Sequence, residues 1–400
     1  MSARVRWGLI ALLLLGWGLR LYRLPAQSLW YDEAVTADVV QMGLDRLTRW
    51  TADDIQPPFY YYLLAGWVRL GGMSEWSLRF PSAAFGLLSI ALAFGLGRRL
   101  FAKGGAWGIV AACLGAFFLA VSPLHIYYAQ EARMYTLLTT LGLAMAVLLT
   151  DWLHKPTTPT QRRDRWLAFI AVSIATVYTH YYAFFLLLAS AIYFLLVWSR
   201  HRPRAILSEA VGALVSIGIA YVPWFPYVAG RYRLDVSYWQ GTLKLDEALH
   251  HTLISFSLGE TVLEATATRL AAGFALLLLI SVLILTRWTA PAGTPSQPTS
   301  VSRRRGRQRP PPAPTTRVRR GLRVPFNVLF LLCYLLIPVL STLIFSYRNP
   351  KFNPRYLMLA SPAFLLLLAG GMARLGWGVS EGKAASRLYF RLPTAAVLLF

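Results

Sequence analysis

The sequence is poor in the residues that make a protein soluble. Acidic side chains number 17 against 40 basic ones, and 14% of the chain is charged while 56% is hydrophobic. So little polar surface cannot cover several soluble domains of ordinary composition. Cysteine is nearly absent: Cys113 and Cys333 both fall inside long apolar runs, which leaves neither a disulfide framework nor the ligand spacing of a zinc site. No internal repeat suggests the paired halves of a secondary transporter.

What the chain has instead is apolar length. A bilayer core takes about 20 residues per helical crossing, and backbone groups in lipid must be bonded within the segment, so each apolar run is expected to be a helix. Runs of this kind fall at 5–24, 80–98, 104–122, 135–153, 166–181, 183–199, 206–227, 267–286, 326–346 and 356–374. The expected fold class is therefore an all-α polytopic membrane protein of about ten or eleven transmembrane helices, with 1–400 as a single transmembrane domain. The first run is long and lacks a small-residue cleavage site, so it reads as an anchor and not as a secretory signal.

The net charge of +23 invites a nucleic-acid partner until the cations are placed. With a cytoplasmic N-terminus, Arg98, Arg99, Lys103, Lys155, Arg162, Arg163, Arg165, Arg200, Arg202, Arg204 and the arginines after Arg287 share one side. Most of the acids fall on the other. That asymmetry is the positive-inside signature of a multi-pass plasma-membrane protein, so the partner is the bilayer and no nucleic acid is expected. The stretch 287–325, rich in Pro, Thr and Arg, reads as a disordered cytoplasmic linker against the anionic leaflet. The chain stops in an apolar run, 393–400, read as the start of a further, truncated segment.

The chemistry-bearing residues gather at the extracytoplasmic ends of the runs. The first external loop, 25–79, is long, acidic and aromatic, and reads as two interfacial helices: 30–42, stopped by Gly43, and 59–70, ended by Gly71 and Gly72. Asp32 and Glu33 open the first of these. A helix N-terminus favours an ionised carboxylate, which is then available as a base, and neighbours on a helix point about 100° apart, so the pair divides its roles. The alternative is that both merely cap the helix. Asp53, Asp54 and Gln56 precede the rigid turn Pro57-Pro58 and either oppose the first pair or form a solvated acidic turn. Glu75 and Arg79, one helical turn apart, are placed to pair with each other. On one continuous helix Tyr128, Glu131 and Tyr135 line a face while Arg133 points elsewhere. His180 and Tyr181 belong either to a site or to the aromatic belt. Arg348, Lys351 and Arg355, beside Tyr356, are cations on the side where positive-inside statistics disfavour them, and read as an anion site or as snorkelling side chains. The loop at 228–266 carries Tyr232, Tyr238, Trp239, His250 and His251 without a motif.

Taken in order, Tyr31-Asp32-Glu33-Ala34, Gln56-Pro57-Pro58-Phe59-Tyr60-Tyr61, Glu75 to Ser82, Tyr128 to Tyr135, His180-Tyr181-Tyr182 and Arg355-Tyr356-Leu357 resemble the bacterial protein-mannosyltransferase and aminoarabinose-transferase superfamily. The resemblance covers about 20–375 and implies the C-type membrane glycosyltransferase (GT-C) fold. It also implies a sugar on a polyprenyl phosphate as donor, Asp32 as the catalytic base and Glu33 as its companion. Arg133, Tyr135, Arg355 and Tyr356 are then expected at the donor phosphate, and Asp53, Asp54, Gln56, Tyr128, Glu131, His180 and Tyr181 around the substrates. Gln56 stands where many relatives carry His or Lys before the paired prolines. An acceptor hydroxyl on a protein, lipid or glycan needs a positioned carboxylate, and attack opposite the leaving lipid phosphate inverts the sugar. Guanidinium groups can hold that phosphate, so no cofactor is expected and nothing in the sequence supports a divalent metal. The rival readings are a lipid or polysaccharide transporter, which would carry ionisable groups near helix midpoints, and a non-catalytic scaffold of envelope assembly.

Overall fold

The computed structural model describes residues 2–54, 56–155, 158–201, 204–234, 242–287, 324–347 and 352–381. In chain order its helices are α1 (Ala3–Leu21), α2 (Tyr31–Gln41), α3 (Leu44–Asp53), α4 (Phe59–Gly71), α5 (Glu75–Leu100), α6 (Ala106–Val121), α7 (Pro123–Ala129) and α8 (Tyr135–His154). There follow α9 (Pro159–Val177), α10 (Ala183–His201), α11 (Arg204–Tyr221), α12 (Phe225–Leu234), α13 (Leu245–Leu258), α14 (Glu264–Arg287), α15 (Phe326–Ser346) and α16 (Ser361–Glu381). A 3-10 turn, Ala102–Gly104, follows α5, and a 3-10 helix, Pro354–Ala360, leads into α16. The described residues contain no strand.

The all-α membrane architecture follows from the apolar runs, since every expected crossing is occupied by a helix: α1, α5, α6, α8, α9, α10, α11, α14, α15 and α16. By length and composition, 6 of the described helices suffice to cross a bilayer, or 7 if α6 and α7, which meet at a 53° bend, form one broken span. The linker expected at 287–325 lies, but for its two ends, outside the described residues, as does 393–400.

α5 is the hub of the bundle, packed on α1, α6 and α8, while α16 packs on α6 and α14. Lipid tails are as apolar as leucine, so helices in a bilayer associate by close packing, and small residues permit it. A Cβ on Gly97 of α5 would sit 3.0 Å from Ala112 Cα on α6, and one on Gly371 of α16 would sit 2.5 Å from Ser281 Cα on α14.

At Pro81 and Pro123, two of the prolines that interrupt the helical ladders, the freed carbonyl is served by a side chain from another helix. Pro81 within α5 has no N–H for Ser77, and Trp67 Nε1 of α4 donates to that carbonyl at 2.9 Å. Pro123 at the head of α7 likewise leaves Leu119 without its donor. The fully buried Arg20 of α1 donates from Nη2 to Leu119 O at 3.2 Å and from Nη1 to Ala120 O at 3.1 Å. Backbone groups in lipid have no water to turn to, which is why a buried arginine is tolerated here.

The first external loop holds three helices where the sequence suggests two. Gly43, read as a stop, is also the N-cap of α3. That helix is short and mostly polar: it buries Leu47, Thr51 and Ala52, sets Trp50 edge-on to Tyr61 and hydrogen-bonds Thr48 to Tyr62, so its periodicity is hard to recognise. α4 also departs from a purely interfacial reading: Tyr60, Tyr61, Leu64 and Ala65 are buried where α4 packs against α2 and α5.

Candidate active site

The two adjacent carboxylates at the start of α2 diverge, as the helical rise between neighbours requires. Glu33 turns inward and is 1% exposed. Its Oε1 accepts from Arg79 Nε at 2.8 Å and from the Ala132 amide at 2.8 Å. Its Oε2 accepts from Arg79 Nη2 at 2.6 Å and from the Trp30 amide at 3.4 Å. Arg79 spends its remaining donors on the carbonyls of Leu24, Gln27 and Ser28. The pair thus ties the end of α1, the start of α2, α5 and the turn before α8 into one unit. The helical spacing of Glu75 and Arg79 suggested a local pair. Instead Arg79 reaches across the fold to Glu33, and Glu75 stays exposed.

Asp32 turns the other way and keeps 24% of its side chain exposed. Two guanidinium groups face it: Arg133 Nη2 lies 3.7 Å and Arg355 Nη1 3.8 Å from Asp32 Oδ2. Both distances exceed a hydrogen bond. Arg133 is further held by Thr36 Oγ1 at 3.3 Å, on the next turn of α2. The expectation that Arg133 points away rested on one continuous helix through 127–135. The chain breaks between the end of α7 at Ala129 and the start of α8 at Tyr135, and that turn swings Arg133 toward Asp32. Arg355 comes from the 3-10 helix before α16. Its guanidinium carbon stands 5.8, 5.6 and 5.5 Å from the ring centroids of Trp30, Tyr135 and Tyr356, a cage suited to a planar cation.

Aromatic rings and two poised titratable groups complete the wall. His180 packs at 6.2 Å from Tyr135 and 5.6 Å from Tyr356. Burial, and then the nearby guanidinium groups of Arg133 and Arg355, push the imidazole down to about 3. It is therefore neutral at physiological pH, and because its Nδ1 accepts from the Tyr182 amide at 3.1 Å, the ring proton sits on Nε2. That buried Nε2 has no hydrogen-bond partner. Glu131, in the turn beside Arg133, is pushed up to about 7 by burial and then by the charge of Glu33, against the pull of Arg355 and Arg133. Its Oε2 also lacks a partner. Tyr128 stacks edge-on to Tyr135 and donates to Glu260 Oε2 at 2.8 Å.

The structure therefore brings together Asp32, Glu33, Arg133, Tyr135, Arg355, Tyr356, Tyr128, Glu131 and His180. Asp53 is exposed at the end of α3. Asp54 lies near Tyr61, whose buried hydroxyl is within the electrostatic reach of Arg133, Asp54 and Asp32. Gln56 is buried, with its Oε1 unpartnered. Tyr181 is half-buried and lies within the electrostatic reach of Tyr221. Arg348, Lys351, Tyr238 and Trp239 lie outside the described residues. Trp30, Thr36 and Glu260 were not anticipated. Glu260 meets Tyr128 from 132 residues away, a proximity that no local pattern announces. Among the described residues no three of His, Cys, Asp and Glu are grouped to hold a metal ion.

The family model of dolichyl-phosphate-mannose-protein mannosyltransferases matches residues 55–227. That stretch includes Gln56, Tyr128, Glu131, Arg133 and His180, and excludes Asp32, Glu33 and Arg355. Among curated proteins none matches the chain. Among solved structures, ArnT from Cupriavidus metallidurans, in its apo state and bound to undecaprenyl phosphate, aligns with a TM-score of 0.60 at 15% identity, over 94% of this chain and 62% of its own. The archaeal oligosaccharyltransferase AglB from Archaeoglobus fulgidus, in complex with an inhibitory peptide and a dolichol-phosphate, aligns with a TM-score of 0.54 at 12% identity, over 99% of this chain and 54% of its own. The chain thus spans less than two thirds of either solved protein, and at such identities the likeness is one of fold. The superfamily resemblance holds at two levels, a family model over 55–227 and a GT-C fold over nearly the whole chain.

Proposed function

We propose that this chain is a membrane glycosyltransferase that moves a sugar from a polyprenyl-phosphate donor to an acceptor hydroxyl, with Asp32 as general base. The observation that carries the proposal is the division of labour at the start of α2. Glu33 is saturated by hydrogen bonds, whereas Asp32 keeps an open edge and faces two guanidinium groups at 3.7 and 3.8 Å. A lipid-linked phosphate as donor is supported by the ligands of the two solved neighbours, undecaprenyl phosphate and a dolichol-phosphate.

In this mechanism the acceptor oxygen gives its proton to Asp32 and forms a bond to the anomeric carbon. The bond from that carbon to the phosphate oxygen breaks, its electron pair leaves with the lipid phosphate, and a single displacement inverts the sugar. Arg133 and Arg355 stabilise the charge that grows on the leaving phosphate, and Tyr135 and Tyr356 wall the same end. The neutral Nε2–H of His180 donates to the sugar or phosphate, and Glu131, with Tyr128 behind it, meets sugar hydroxyls. Asp53, Asp54, the buried Gln56 and Tyr181 meet the substrates farther from the reacting atoms. The positive-inside distribution of charge supports a site on the extracytoplasmic face, with the N-terminus cytoplasmic. A mannose-type sugar is supported by the family match alone; the acceptor is a protein, lipid or glycan hydroxyl.

The test is release of polyprenyl phosphate by purified protein from a panel of polyprenyl-phosphate sugars. Asp32→Asn is expected to abolish release while membrane expression stays intact, and full activity in that variant removes Asp32 as the base. Arg133→Ala and Arg355→Ala are expected to raise the apparent KM for donor, and an unchanged KM takes them out of the phosphate site.

A further inference from the structure

The bundle has a cavity at the helix ends remote from Asp32. From Arg79 to Arg98, α5 rises about 28 Å at 1.5 Å per residue, close to the ~30 Å of a bilayer's hydrocarbon core. The cavity, about 1040 Å³, opens among the ends of α5, α8, α14, α15 and α16. Its lining is cationic at the ends of the elements. Arg98 and Arg99 close α5, Lys103 stands in the 3-10 turn, Lys155 caps α8 and Arg374 comes from α16.

Among the described residues, Asp151 is the one carboxylate that lines it. It is taken up by Arg99, from Nε to Oδ1 at 2.7 Å and from Nη2 to Oδ2 at 2.9 Å, with Lys155 Nζ at 4.0 Å. Arg98 and Lys103 form no salt bridge among the described residues. The remaining wall is largely apolar, formed by Phe94, Phe101, Trp107, Leu285 and Phe326. The guanidinium carbon of Arg374 lies 5.9 Å from the Trp107 ring centroid. Excess cations beside an apolar wall between membrane-spanning helices match an amphiphile with a charged head and hydrocarbon tails, and such basic pockets bind anionic lipid head groups.

We propose that this cavity binds the phosphate head group of an anionic phospholipid, with the acyl chains running along the wall formed by Phe94 and Leu285. The lipid holds the ends of α5, α8 and α16 together on the face opposite Asp32. The inference does not depend on the transfer reaction.

The test uses the full chain in nanodiscs of phosphatidylcholine with a minor fraction of phosphatidylglycerol, and native mass spectrometry to count the lipids retained. Phosphatidylglycerol is expected to be enriched on the protein over its share of the disc, and Arg98→Gln with Lys103→Gln is expected to cut that enrichment about tenfold. Arg4→Gln with Arg6→Gln removes the same charge from the same end of the bundle, outside the cavity, and is expected to leave enrichment unchanged. Equal loss in the two pairs, or no enrichment in the parent protein, overturns the proposal in favour of general surface attraction. Arg98→Lys with Lys103→Arg keeps the charge and is expected to keep the lipid.

Inorganic phosphate is added in a parallel arm: retention of the lipid supports the head group with its chains, and displacement shows a free-phosphate site instead. A photoactivatable phosphatidylglycerol on the unmodified protein needs no variant. Adducts concentrated near Leu285 and Arg374 support the site, and adducts spread evenly over the lipid-facing helices overturn it.

Discussion

Glu33→Gln is the perturbation that most directly tests how the first loop is held. The carboxylate is 1% exposed and accepts four donors, two from Arg79 and one each from the Ala132 and Trp30 amides. An amide in its place turns one acceptor oxygen into a donor that faces other donors. Arg79, whose side chain is 5% exposed, loses its counter-charge. Breaking one side of a buried pair costs about 3–5 kcal/mol. Arg79→Met should cost at least as much, because the carbonyls of Leu24, Gln27 and Ser28 also lose their donor. The double variant should be less damaged than the sum of the two, with a coupling of about 0.5–3 kcal/mol. Thermal unfolding in detergent, with limited proteolysis of the first loop as a local probe, reads both effects. A Tm equal to the parent in either single variant, or strict additivity in the double, would refute the view that this pair anchors the loop.

Two further predictions concern buried charge. The carboxyl of Glu131 is raised in the fold to about 7 from an ordinary 4.5, so between those values the native state binds more protons than the unfolded chain. Its contribution is favourable in acid and declines as pH rises through that window. His180, lowered to about 3 from 6.5, works in the opposite sense: its share is present above 6.5 and declines as pH falls toward 3. Glu131→Gln should therefore gain Tm relative to the parent from pH 4.5 to 7 and hold that gain above, and a pH-independent difference would show that Glu131 titrates normally. Arg20→Lys keeps the charge but loses the fork that spans Leu119 O and Ala120 O; at about 1–3 kcal/mol per buried unpaired group, it should lower Tm clearly, and an unchanged Tm would remove the bridging role.

The membrane architecture was legible because lipid imposes a local rule. A segment that cannot bond its backbone to water must be a helix about 20 apolar residues long, and that length is written in the chain around each crossing. The Asp32 and Glu33 pair was legible for a similar reason: carboxylates suit a helix start, and neighbours on a helix diverge. α3 was not, since ten mostly polar residues, of which three are buried, make a weak period.

Partnership, by contrast, was decided only by the tertiary structure. Local spacing paired Arg79 with Glu75, whereas the fold offers Arg79 a buried carboxylate and three carbonyls that a surface glutamate cannot match. Arg133 was assigned to the wrong face because a break of five residues, 130–134, resets the direction of the chain. Arg355 and Glu260 enter from segments far along the sequence, brought in by the packing of the last helices. Which helices form is a matter of each segment and its solvent, so it resides in the sequence; which charges meet depends on contacts between distant segments, and those exist only once the bundle has closed.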